Sequence, residues 1–161
     1  MKIVYVVSVA LIDKDKKILL AKRPEGKAMA GLWEFPGGKI ESGEIPEQAL
    51  IRELKEELAI DVCEPCLSSA GFVSYAYTNK PKETLPDCDC NVDNRYFVPA
   101  YEMGLAEEFH LIMLFYVCYK WTGIPQATEN QELGWYDIKE FANLAMPPAD
   151  KPLIEVLKNI L

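Results

Sequence analysis

Three glutamates, Glu53, Glu56 and Glu57, lie within Glu47 to Leu58, a segment with the pattern of a helix. At about 100° per residue they share an arc of roughly 100°, beside an apolar stripe of Leu50, Ile51, Leu54 and Leu58. Like charges spaced i, i+3 and i+4 repel by roughly 0.2–0.5 kcal/mol per exposed pair. Two readings of the cluster are open. One is a solvated acidic face. The other is a divalent-metal site, because hard cations such as Mg²⁺ take carboxylate and carbonyl oxygens. Gly37-Gly38 upstream suits the second, since glycine lets backbone carbonyls approach an ion with no Cβ in the way.

The wider pattern decides between them. Gly38, Glu44, Arg52-Glu53-Leu54, Glu56-Glu57 and Ile60 follow the spacing G-x5-E-x7-R-E-U-x-E-E-x-G-U, with U apolar. This resembles the Nudix box of hydrolases that act on nucleoside diphosphate derivatives. Six matched Gly, Glu and Arg positions, at about 5–7% usage each, give chance odds on the order of 10⁻⁷ per start site. One position departs, Ala59 standing where the box has glycine. That glycine ends the helix in a left-handed turn, a conformation costing alanine roughly 1–2 kcal/mol.

Glu34-Phe35-Pro36-Gly37-Gly38-Lys39-Ile40-Glu41, Pro46-Glu47-Gln48-Ala49 and Pro147-Pro148-Ala149 are similar to the MutT branch of that family. The likeness covers residues 1–72 and 109–161. It implies an α/β (α+β) fold, the Nudix-type α/β/α sandwich with a mixed central β-sheet. It also implies metal-dependent hydrolysis of a nucleoside polyphosphate to the monophosphate and pyrophosphate, with 8-oxo-dGTP as the first expectation. The same box serves pyrophosphatases of ADP-ribose and other nucleoside diphosphate derivatives. A non-catalytic nucleotide-binding or protein-binding module is the alternative from another class; intact Glu53, Glu56 and Glu57 argue against it.

Carried over by position, the resemblance implies Mg²⁺, or Mn²⁺, held by Glu53, Glu56 and Glu57 with the Gly37 and Gly38 carbonyl region. Glu129 matches an additional metal-binding or base glutamate, with a plain loop acid as the alternative. Glu44 and Arg52 would brace loop and helix by hydrogen bonds and ion pairing. Arg23 matches an arginine that reaches a substrate phosphate, with Lys39 assisting; the alternative is a surface charge. A carboxylate, Glu53 or Glu129, would take the proton of the attacking water. His110, the only histidine, enters an apolar strand and reads as structural. After Pro147-Pro148-Ala149 the MutT branch has asparagine, and this chain has Asp150. An ionised carboxylate only accepts, so it suits the N7–H of 8-oxoguanine but opposes O6 unless protonated. Asp150 reads equally well as the cap of the helix opened by Lys151-Pro152.

These residues need elements to hold them. Ile3 to Ile12 and Lys17 to Arg23 read as two strands of a hairpin across the polar turn Asp13 to Lys16. Trp33 to Phe35 is a short extended piece, and Pro46 opens the glutamate helix. Val62 to Tyr77 holds a strand, Phe109 to Trp121 a buried strand, and Leu133 to Tyr136 a short strand. Asp137 to Leu144 reads as a short helix. Leu153, Ile154, Leu157, Ile160 and Leu161 form the inner face of a terminal helix. Strands and helices interleave without a regular βαβ period, which predicts a mixed sheet with helices packed on it.

The 161 residues make one expected domain, with residues 79–108, rich in Pro, Asp, Asn and Cys, as a surface insertion. A formal charge of −8 disfavours nucleic acid polymers and leaves a small polyanion bound with metal ions. The longest apolar runs are far short of the roughly 18 residues of a membrane span. With no signal-peptide cleavage pattern after the first strand, the expected location is cytoplasmic. Five cysteines make no disulfide framework. Cys63, Cys66, Cys88 and Cys90 are expected to be unligated, with a structural zinc as the alternative.

Overall fold

A computed structural model describes residues 1–83 and 97–161. Its elements are β1 (Lys2–Leu11), β2 (Ile18–Lys22), β3 (Trp33–Glu34), β4 (Gly37–Lys39), α1 (Pro46–Leu58), β5 (Ser68–Tyr77), β6 (Phe109–Cys118), β7 (Glu132–Tyr136) and α2 (Lys151–Ile160). Short 3₁₀ turns cover Glu64–Cys66, Ala100–Met103 and Ile138–Asn143. The strands form a four-stranded sheet in the order β4-β1-β6-β5 and a three-stranded sheet in the order β3-β2-β7. β1 and β6 run parallel, in register from Lys2↔Phe109 to Leu11↔Cys118, and the other ladders are antiparallel. The mixed sheet between helices is therefore present, with a second, smaller sheet beside it.

The expected β1–β2 hairpin does not form. Asp13 does turn the chain, its carboxylate accepting the N–H groups of Asp15 and Lys17. However, β1 and β2 enter different sheets and share only the bridge Ile12↔Ile18. The better partner for the apolar β1 is β6, which is equally apolar and far along the chain. That choice exposes opposite faces of β1 to two cores. Val7, Val9 and Leu11 pack with Leu50, Leu54 and Leu58 of α1. Ala10 packs with Phe35, Tyr77, Phe115 and Leu153, the last from α2.

α1 starts as its sequence dictates, with Pro46 at the first position and the Gln48 side chain accepting the Ile45 N–H at 3.3 Å. It ends on Ala59, whose backbone is left-handed (φ 55°, ψ 33°) with its N–H bonded to the Lys55 carbonyl. Alanine thus takes the turn that the family motif gives to glycine, and it carries the strain. Ala59→Gly should raise stability by about 1 kcal/mol, or roughly 2–4 °C in melting temperature, with α1 unchanged. A melting point at or below that of the parent would count against strain at this turn.

Other expectations shift in detail. Ile160 is 41% exposed and drops out of the inner face of α2, which Leu153 and Leu157 bury and Ile154 and Leu161 flank. Within the expected insertion, residues 84–96 lie outside the described residues. Its described end is not only surface, because Ala100 is buried in the core. Cys63 and Cys66 are neither free nor on a strand: the 3₁₀ turn brings their Cα atoms to 5.4 Å and they form a disulfide. The pair is removed from any four-thiolate zinc site, and Cys88 and Cys90 fall outside the described residues. No described helix is long and apolar enough to cross a membrane.

Candidate active site

The connector from β3 to β4 passes through Phe35-Pro36-Gly37, and Val9 donates its N–H to the Pro36 carbonyl at 3.0 Å. This fixes the glycines against α1. Glu53 lies with its carboxylate against Gly38, where any Cβ would overlap it. Gly37 presses on the Val7 carbonyl in the same way and turns its N–H to the Glu57 carboxylate at 3.4 Å. Both glycines are therefore demanded by close approach.

Arg52 braces this corner. Its Nε and Nη2 donate to the two carboxylate oxygens of Glu44 at 2.6 and 3.0 Å, and Nη2 also reaches the Lys39 carbonyl at 3.1 Å. Nη1 donates to Glu53 at 2.9 Å and to Glu56 at 3.4 Å. The forked bond from Arg52, with a second bond from the Glu41 N–H, brings the Glu44 carboxyl down to about 2. Arg52 thus ties the turn carrying Glu44 to Glu53 and Glu56 on α1.

The acids they surround behave oppositely. Glu57 is pushed up to about 8, first by burial and then by the charges of Glu53 and Glu129. Burial raises Glu53 as well, against the lowering effect of Arg52. Glu56 is exposed. The loop carrying Glu129 is docked on the C-terminal end of α1. Gln131 donates to the Glu57 carbonyl at 2.8 Å, Gln126 to the Leu58 carbonyl at 2.9 Å, and Thr128 to the Glu56 carbonyl. These bonds occupy carbonyls that a helix end leaves unpaired, and they set Glu129 beside Glu57 in one small pocket.

Carboxylates that repel one another with no described cation on Glu57 are a donor set suited to a hard divalent ion. Among the described residues no three acidic, cysteine or histidine side chains are already gathered as a closed cage. Arg52 occupies one oxygen of Glu53 and one of Glu56.

From this corner a cleft of about 400 Å³ runs between β1, β6 and the β3–β4 connector. Arg23 and Lys39 stand on its rim, with Met113, Tyr77 and Phe109 along its apolar wall. Arg23 is not a free surface charge. Its Nε donates to the Ala28 carbonyl at 2.7 Å and its Nη1 to both oxygens of Glu34 at 3.1 Å. Asp150, 6% exposed, also lines the cleft. Its side chain makes no cap bond to α2; it accepts the Phe35 N–H at 3.2 Å instead, so the capping alternative fails. Burial, aided by the charge of Glu34, raises its carboxyl to about 8. His110 bonds Ser74 at 2.6 Å and points away from the cleft side of β6, consistent with a structural role.

In the sequence Glu34 stands only as the first residue of the Glu34 to Glu41 motif. The structure makes it the acid that holds Arg23 and charges the surroundings of Asp150. A lone acid between Trp33 and Phe35 was the available signal. Gln131 carried no signal of its own.

Comparison with known proteins accords with this geometry. The NUDIX domain model matches residues 2–157. The CTP pyrophosphohydrolase of Escherichia coli is 37% identical over 157 residues, covering 96% of this chain and 91% of that protein. The 8-oxo-dGTP diphosphatase of the same organism is 28% identical over 148 residues, covering 92% and 91%. A MutT structure, from work on Aliivibrio salmonicida and Vibrio cholerae, superposes with a TM-score of 0.69 at 28% identity, covering 99% and 100%.

Proposed function

This chain belongs to the Nudix family of hydrolases, and we propose that it cleaves a nucleoside triphosphate to the monophosphate and pyrophosphate. The observation that carries this reading is the single cleft joining the Glu57 and Gly37-Gly38 corner to Asp150. The phosphates belong at the acidic end and the base at the other. Glu53, Glu56, Glu57 and Glu129, with the Gly37 and Gly38 carbonyls, are the residues to hold Mg²⁺ or Mn²⁺. Such an ion supplies positive charge to the polyphosphate and acidifies a bound water.

The remaining work falls to the chain itself. Arg23 is oriented by Glu34 and Ala28, and its Nη2, which makes no bond among the described residues, can reach a phosphate oxygen, with Lys39 lining the same cleft. Arg52 and Glu44 keep Glu53 against Gly38. A carboxylate of this cluster, Glu53 or Glu129, accepts the proton of the attacking water.

At the other end, a carboxyl with a pKa of about 8 is largely neutral at pH 7. A neutral Asp150 both donates and accepts, which removes the conflict expected for an ionised one. It can donate to O6 and accept from N7–H of 8-oxoguanine, the substrate implied by the MutT resemblance. The same pair of bonds fits N3 and the N4 amine of cytosine. The relative named CTP pyrophosphohydrolase makes this second base worth equal testing. Turnover should be measured with Mg²⁺ on 8-oxo-dGTP, dGTP, CTP, dCTP and ADP-ribose, identifying the products. We expect pyrophosphate from 8-oxo-dGTP or a cytosine nucleotide at rates well above dGTP. Turnover of ADP-ribose alone would overturn the reading.

A further inference from the structure

Ser8 Oγ is the buried side-chain polar atom for which the described residues provide no hydrogen bond. Ser8 is 2% exposed, in the middle of β1, between Val7 and Val9. Side chains alternate along a strand. Val7 and Val9 face α1, so Ser8 faces the opposite layer with Ala10, and there it lines the cleft. An unpaired buried hydroxyl is destabilising, and the β-branched run around it shows which residues fill this strand without that penalty.

Its place along the cleft is fixed by the backbone. Ser8 is the register partner of Gly37, whose N–H faces Glu57, and Phe35, two residues earlier, binds Asp150. Ser8 therefore flanks the connector between the phosphate end and the base end. The part of a nucleotide between those ends is the sugar, whose hydroxyls donate and accept as serine does.

We propose that Ser8 is a specificity-determining contact whose hydroxyl bonds a sugar hydroxyl of the bound nucleotide. This rests on the nucleoside triphosphate reading above. A site that buries a hydroxyl for a substrate hydroxyl rejects the analogue lacking it, because the protein group is then left unpaired.

The test compares the parent and Ser8→Ala on the series CTP, dCTP and ddCTP, and on 8-oxo-GTP, 8-oxo-dGTP and the corresponding dideoxy nucleotide. Ser8→Ala should raise KM about tenfold on forms carrying the contacted hydroxyl, leave kcat within about twofold, and leave KM unchanged on forms lacking it. A ribo-to-deoxy step assigns the 2′-hydroxyl, and a deoxy-to-dideoxy step assigns the 3′-hydroxyl. The melting temperature of the ligand-free variant should equal or exceed that of the parent, since only an unpaired hydroxyl is lost. Equal KM changes on all three sugars, no change on any, or a lowered melting temperature would overturn the contact. A parent inactive on every triphosphate would overturn the functional reading and this contact with it. An active parent beside an unaffected Ser8→Ala overturns the contact alone.

Discussion

Replacing Glu57 or Glu53 by glutamine should lower kcat by at least about 100-fold at saturating Mg²⁺, equivalent to about 2.7 kcal/mol of transition-state stabilisation. The amide keeps the shape of the side chain and loses the charge that a hard cation requires. Stability should move the other way in the metal-free protein, which makes the two effects separable. The Glu57 carboxyl is raised from 4.5 to about 8 by burial and by Glu53 and Glu129. A raised folded-state pKa means that its stabilising contribution is complete below about 4.5 and is lost as pH rises through about 8. At pH 7.5 in chelator the parent therefore carries a penalty that Glu57→Gln lacks, and the variant should melt no lower. Added Mg²⁺ should then raise the melting temperature of the parent more than that of the variant. Near-normal kcat in either variant at saturating Mg²⁺ would remove Glu53 or Glu57 from the metal site.

The acidic corner was legible because its information is local. Glu44, Arg52, Glu53, Glu56 and Glu57 lie within one turn and one helix, so spacing in sequence converts directly into proximity in space. Even the departure at Ala59 resolves locally, the alanine accepting the left-handed turn. The two-sheet arrangement was not legible, because nothing near β1 marks β6 as its parallel partner across about a hundred residues. The same limit hid the opposite end of the cleft. Asp150 follows a proline pair and precedes Lys151-Pro152, so local rules make it a helix cap. Its carboxyl instead finds the Phe35 N–H, 115 residues away in sequence. Long-range packing, not its neighbours, sets its protonation. Ser8 did leave a trace, as one hydroxyl interrupting a run of valines, but only the absence of a described partner gives that trace meaning.

Asp150 should prove a reader of the base, and its replacement should act on KM. Two hydrogen bonds from a neutral carboxyl contribute about 1–3 kcal/mol together, so Asp150→Ala should lower kcat/KM roughly 5- to 150-fold on the preferred nucleotide. kcat should change little, because the Asp150 carboxyl bonds the Phe35 N–H and makes no hydrogen bond to the glutamates of the acidic corner. Asp150→Asn keeps a donor and an acceptor and should retain most of the discrimination between 8-oxo-dGTP and dGTP. The pH profiles should separate the two groups further. In the parent, kcat/KM should fall as pH rises through about 8, where the carboxyl ionises and loses its donor. The asparagine variant has no proton to lose at position 150 and should show a smaller fall in that window, the remainder coming from Glu57, which is raised to the same range. Stability has the same sign: the raised carboxyl favours the folded state most below 3.8, and that contribution is lost as pH rises through about 8. Asp150→Asn should therefore make the stability profile shallower, leaving the Glu57 contribution in place. Since the side chain makes no cap bond to α2 and instead accepts the buried Phe35 N–H, any loss of stability in Asp150→Ala should come from that orphaned donor, about 1–3 kcal/mol, and not from a lost cap. An unchanged kcat/KM in Asp150→Ala, on every nucleotide the parent turns over, would show that the base is read elsewhere.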